Sequence, residues 1–240
     1  TLSVLVVLAI VRVYWLPRAR RAFIRAREAS STVNGALGYG FSSITMPVAL
    51  LFYTNRILNP AMVLVELVIN SYVLFLNRQS IPNIWRRVTP ILTGLVVGIA
   101  IGSYILSMVQ PAWIKFVTYF FLLPLILLQA AGIRKPIKAE KTIGVPFGVG
   151  IGTLYSVTTI SGPPLALLFN NQGYEKQDFR AALGVIRVAE STLTAIAYAI
   201  IGFYSVGSME VMLFIVPSVI LGIPLGAFLI RWMEPETFRR

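Results

Sequence analysis

From Ile143 to Asn170 the chain runs without a charged side chain, and that length constrains what it can fold into. About 20 apolar residues carry a helix across a bilayer core. On that ruler eight segments read as spans: 1–16, 31–52, 60–77, 88–108, 113–132, 143–170, 179–204 and 209–232. Only 12% of the residues are charged and 57% are hydrophobic, whereas soluble domains carry about 25% charged residues. The deficit continues along the whole chain, which excludes a soluble core with a wet surface. The runs are also longer than the apolar part of a signal peptide. The expected fold is an all-α polytopic membrane protein with about eight transmembrane segments, embedded in the lipid bilayer.

Charge orients the segments. The 21 Lys and Arg residues outnumber the 9 Asp and Glu, and they gather between apolar runs rather than along one soluble face. That placement argues against nucleic acid and for the positive-inside bias. Alternation puts the basic stretches 18–27, 78–87 and 134–141 on one side, expected to be the cytoplasmic face of the cell (inner) membrane. Arg239 and Arg240 then fall outside, so either a further helix follows or one segment is re-entrant. The chain begins without a methionine, which points to a clipped start. Arg12 is expected to snorkel to the interface. Tyr14, Trp15, Trp85, Trp113 and Trp232 stand at segment ends, as an aromatic belt requires.

The sequence also repeats. PVALLF (47–52) returns as PLALLF (164–169), and further on Glu66, Gly98 and Gly102 fall on Glu190, Gly222 and Gly226. The expected organisation is an N-terminal helix and basic loop (1–30), a first repeat (31–133) and a second repeat (142–232), in one membrane domain. The repeat is parallel with four spans per half, or inverted if one helix pair is re-entrant. Each half holds a segment that is glycine-spaced, then hydroxyl-rich, then stopped by proline: NGALGYGFSSITMP (34–47) and GVGIGTLYSVTTISGPP (148–164). Proline removes a backbone donor and disfavours helix in the residue before it. In hydrocarbon such a break survives only against protein or a wet cavity. Two halves with broken, glycine- and proline-interrupted helices are therefore expected.

Broken helices expose N-terminal amides that suit an anion, and hydroxyls add donors without charge. Ser42, Ser43 and Thr45 would line one side of a small-anion site, with Thr158, Thr159, Ser161 and Gly162 on the other. The competing reading is close helix packing, for which small residues and self-bonded hydroxyls are common. Glu66, Arg187 and Glu190 lie inside spans, where ionisable residues are rare and face a partner or a water-filled path. Arg187 and Glu190 share a helix face at i, i+3 and are placed to pair. Glu66 has no basic residue in its own span, so it is the first candidate for proton coupling, with Glu190 the second. The guanidinium fork of Arg187 suits an oxyanion, and Asn70, one turn beyond Glu66, offers a neutral hydrogen bond.

The chain has no histidine and no cysteine, which removes imidazole, thiolate and zinc-type chemistry. Ser161 has no histidine partner and no GxSxG elbow is present, so no enzyme activity, cofactor or metal is expected. An anion channel and a non-transporting structural subunit are the alternatives to a carrier. Oligomers are compatible with everything read so far.

GALGYGFSSITMPVALL (35–51) and TTISGPPLALLF (158–169) together resemble the paired signature of the TauE/SafE family, the sulfite exporters. DFRAALG (178–184), VVGIAIGSYI (96–105) and ILGIPLGAFL (220–229) resemble that family's later segments, and the likeness covers about 31–232. It implies a cytoplasmic-membrane secondary transporter of a small sulfur-containing or organic anion (sulfite, a sulfonate or a related oxyanion) driven by an ion gradient. The first glycine stretch is less dense here than in many relatives.

Overall fold

The computed structural model describes residues 41–130, 140–171 and 174–229. Among them are eight α-helices: α1 (Phe41–Ala49), α2 (Asn55–Leu76), α3 (Ile81–Met108), α4 (Pro111–Ala130), α5 (Glu140–Thr158), α6 (Gly162–Asn171), α7 (Lys176–Ile201) and α8 (Val206–Leu229). A 3-10 turn, Arg78–Ser80, leads into α3. No strand occurs among the described residues. The first expected span, the basic stretches 18–27 and 134–139, and Arg12, Tyr14, Trp15 and Trp232 lie outside the described residues.

The polarity of the molecule is that of a protein whose solvent is lipid. Tyr104, Val68, Leu213 and Ile200 stand on the outside, Ile200 with 81% of its surface open. Glu66, Arg187, Glu190 and several asparagines are buried. Three helices among the described residues are long and apolar enough to cross a membrane: Asn55–Leu76, Arg78–Met108 and Gln177–Ile201. Water would reverse this distribution.

Two helix starts differ from the sequence reading. The α2 helix begins at Asn55, because Thr54 holds the extended conformation that opens a helix, and it contains Pro60, whose missing N–H leaves the Arg56 carbonyl without its intrahelical donor. The stretch 78–87 is not a loop: the 3-10 turn runs straight into α3, with Pro82 at the helix start. Arg86 and Arg87 ride on that helix. Arg78 lies over the Phe75 ring at 4.4 Å and Arg87 over Tyr174 at 4.8 Å, so aromatic faces take up charge the sequence seemed to assign to a loop.

Ends inside the bundle are closed by specific groups. Gly202 terminates α7 in the left-handed region at φ 80°, and the following amide of Phe203 reaches back to Tyr198 O at 3.0 Å. Arg56 donates from Nε to Leu106 O at 3.2 Å and from Nη2 to Ser107 O at 2.7 Å and Val109 O at 3.1 Å. A cation there meets the negative end of α3. Just past α1 the Leu51 amide turns back to Val48 O, and Tyr119 of α4 donates to Pro47 O at 2.8 Å.

The closest packing is between α3 and α5. Gly94, Gly98 and Gly102 of α3 face Gly144, Gly148 and Gly152 of α5, and a Cβ at Gly98 would lie 2.2 Å from Val149 O. Backbones can approach this far only where no side chain intervenes. For these glycines the packing role is the one the structure supplies. The α2 helix in turn packs on α7 and α8, and α3 on α7. Phe41 and Met46 of α1 share an apolar cluster with Leu58, Ile69 and Ile160, which seats α1 beside the junction of α5 and α6.

Candidate functional site

The α5 helix stops at Thr158 and α6 starts at Gly162. Thr159 between them has φ 57°, a left-handed conformation that β-branched residues rarely adopt. The carbonyls left at the end of α5 are met locally and from neighbouring helices. Thr159 N bonds Tyr155 O, Tyr198 donates its hydroxyl to Ser156 O, and Asn59 donates to Val157 O at 2.7 Å.

Beside this junction lies a chain of buried polar groups. Arg187 on α7 donates from Nη2 to Glu66 Oε1 on α2 at 2.7 Å, with 1% and 0% of the two side chains exposed. Tyr155 on α5 donates to the other oxygen, Glu66 Oε2, at 2.8 Å. Its hydroxyl also lies 3.0 Å from Ser191 Oγ, which accepts a bond from Asn70 Nδ2 at 3.3 Å. Ser161, at the junction itself, donates to Glu190 Oε2 at 2.6 Å. Three helices and the junction thus converge. On α2, Glu66 and Asn70 share a face at i, i+4; on α7, Arg187 and Ser191 do the same.

Two expectations need correction. Glu66 is not a lone carboxylate, because Arg187 reaches across the α2–α7 interface to it. Nor do Arg187 and Glu190 pair; Glu190 takes its hydrogen bond from Ser161. Arginine placed N-terminal to glutamate is the less favourable order for a pair along one helix, and a carboxylate facing from α2 wins.

Other expected site residues divide. Thr158 spends its hydroxyl on Leu154 O at 2.7 Å and accepts Ile160 N, and Thr159 donates to Thr158 O. Their donors finish a helix end and are not presented to a ligand. Ser42 and Thr45 are buried on α1, and Ser42 Oγ has no partner; Ser43 lies in the same helix. Gly162 opens α6, but Pro163 and Pro164 have no N–H and the Leu165 amide is bonded to Ser161 O. The first turn of α6 therefore offers the Gly162 amide and little else, fewer donors than a broken helix usually presents.

What the cluster retains is unmet capacity. Arg187 Nε and Nη1, Glu190 Oε1 and Thr194 Oγ1 are buried without a hydrogen-bond partner. Buried polar atoms are normally satisfied, so a guanidinium with two unmet nitrogens in the protein interior calls for a ligand or water. Tyr155 and Ser191 were missed from sequence. Ser191 was within reach of the helical-face rule applied to Arg187; Tyr155 carried only the faint signal of a tyrosine in mid-span, away from any belt. Tyr155→Phe is expected to cost about 1.5–3 kcal/mol, since it strips a donor from a charged, buried carboxylate. Denaturation of the purified protein checks this, and unchanged stability would show that Glu66 does not depend on the phenol.

Fold and site define a helical integral membrane protein with an ion pair and further polar groups buried at a helix junction. The chain belongs to the sulfite exporter TauE/SafE family, whose model matches residues 29–240. No curated protein and no solved structure matches it. The family's description is that of a sulfite exporter, a membrane transporter.

Proposed function

We propose that this protein carries a small sulfur oxyanion, sulfite or a sulfonate, across the cytoplasmic membrane by alternating access, coupled to protons. The observation that carries the reading is the buried Arg187 guanidinium, paired through Nη2 while Nε and Nη1 stay unmet. A planar fork of donors matches an oxyanion in a way a point charge does not. The Ser42 hydroxyl and the Gly162 amide are the supporting donors nearest in character, with the positive end of α6 adding to the field.

Coupling follows from charge conservation in a dry interior. An oxyanion that draws Arg187 to itself takes the cation from Glu66. A buried carboxylate without its countercharge is costly, so Glu66 takes up a proton as the anion binds. Glu190, held through Ser161, ties the same event to the α5–α6 junction. Each half of the expected repeat contributes one of the two glutamates, and the positive-inside bias orients the basic segment 78–87 toward the cytoplasm in this reading.

The test is binding to purified protein of sulfite, sulfate, thiosulfate, sulfoacetate, isethionate and taurine, repeated with Arg187→Lys. Selective binding of a sulfur oxyanion that weakens by about tenfold or more in Arg187→Lys is the expected result, the bidentate geometry being lost although the charge is kept. Equal affinity in that variant would remove Arg187 from the site.

A further inference from the structure

A second group of buried polar side chains meets the α5 terminus at Val157 O, and the anion reading does not use it. Asn55 and Asn59 stand at i, i+4 on α2, both fully buried. Asn59 Nδ2 donates to Val157 O at 2.7 Å, and Asn55 Nδ2 lies 3.4 Å from the same carbonyl and from Thr118 Oγ1. Val157 O can only accept, so each amide must turn its nitrogen toward it, and the orientation of both side chains is thereby fixed. The two remaining oxygens, Asn55 Oδ1 and Asn59 Oδ1, are buried with no partner.

We propose that these two oxygens hold an alkali-metal cation at the C-terminal end of α5. Neutral amide oxygens are ligands for hard cations. A site of neutral oxygens favours a monovalent ion, because a divalent one calls for carboxylates. The carbonyl end of a helix carries about half a negative charge, and interrupted membrane helices use such ends to hold cations. The adjacent cation, Arg56, is committed elsewhere, to Leu106 O, Ser107 O and Val109 O at the end of α3. Thr118 Oγ1, which donates to Ile114 O at 2.8 Å, keeps lone-pair capacity for a third ligand.

The experiment measures thermal stability of the purified full chain in sodium, potassium or lithium chloride against choline chloride at constant ionic strength. At least one alkali cation should raise the melting temperature saturably. Asn55→Ala should raise its half-saturating concentration by about tenfold or more. Asn55 is the variant of choice because both of its hydrogen bonds are long, so little of the fold depends on them; Asn59→Ala serves as the second. Arg187→Lys should keep the cation response intact, which separates this site from the anion site. Identical melting in all four salts would mean that the two oxygens hold water only, and a cation response unchanged in both asparagine variants would place the ion elsewhere; either result overturns the proposal.

Discussion

Arg187→Met is expected to destabilise the protein by about 3–5 kcal/mol, the cost of leaving one member of a buried ion pair without its partner. Glu66 would remain at 0% exposure with Tyr155 as its one neighbouring donor. The double variant Arg187→Met with Glu66→Met should recover most of that loss, since two apolar side chains of similar length fill the same space without a stranded charge. Denaturation of all three variants and the wild type closes a double-mutant cycle. A single variant as stable as the wild type would mean that the pair is not closed in the folded protein. The double variant should still bind no oxyanion, which separates the pair's structural role from its role in recognition.

Gly98→Leu is the second large effect. A Cβ at this position would stand 2.2 Å from Val149 O and 2.9 Å from Thr153 N, both backbone atoms of the facing helix. Backbone cannot swing aside as a side chain tip does, so α3 and α5 would have to separate along their tightest seam. The expected loss exceeds about 4 kcal/mol, read as failure to purify a folded monodisperse protein or as a collapsed melting temperature. Gly150 is the control. It lies on α5, where an added Cβ meets nothing within 4 Å, and Gly150→Ala should stabilise by up to about 1 kcal/mol through helix propensity alone. A tolerated Gly98→Leu would mean that the two helices are not in backbone contact.

The contrast between those glycines shows what the sequence could reveal. Apolar runs separated by arginines give the rough place of α2, α3, α4, α7 and α8, because a bilayer imposes a length, whereas the single expected span 143–170 is divided into α5 and α6. They misplace the starts of α2 and α3, where Pro60 and the Arg86–Arg87 pair look like boundaries but sit within helical turns. Glu66, Arg187 and Glu190 stood out because a charge in an apolar span is expensive. Their pairing was not legible, since it depends on which faces α2 and α7 present to each other. The hydroxyls of Thr158 and Thr159 looked like ligands from composition, yet the helix end they close claims them first. Asn55 and Asn59 drew no attention because asparagine near a proline reads as a turn, and only the position of Val157 O gives the pair its meaning.

We propose that Glu66 takes up a proton when an oxyanion draws Arg187 away. The most direct test is uptake of labelled sulfite into proteoliposomes under an imposed pH gradient, comparing the wild type with Glu66→Gln. The account predicts that the variant still exchanges labelled for unlabelled sulfite but no longer accumulates it in response to the gradient. Accumulation that persists undiminished in Glu66→Gln would contradict the account and leave Glu66 a structural partner of Arg187.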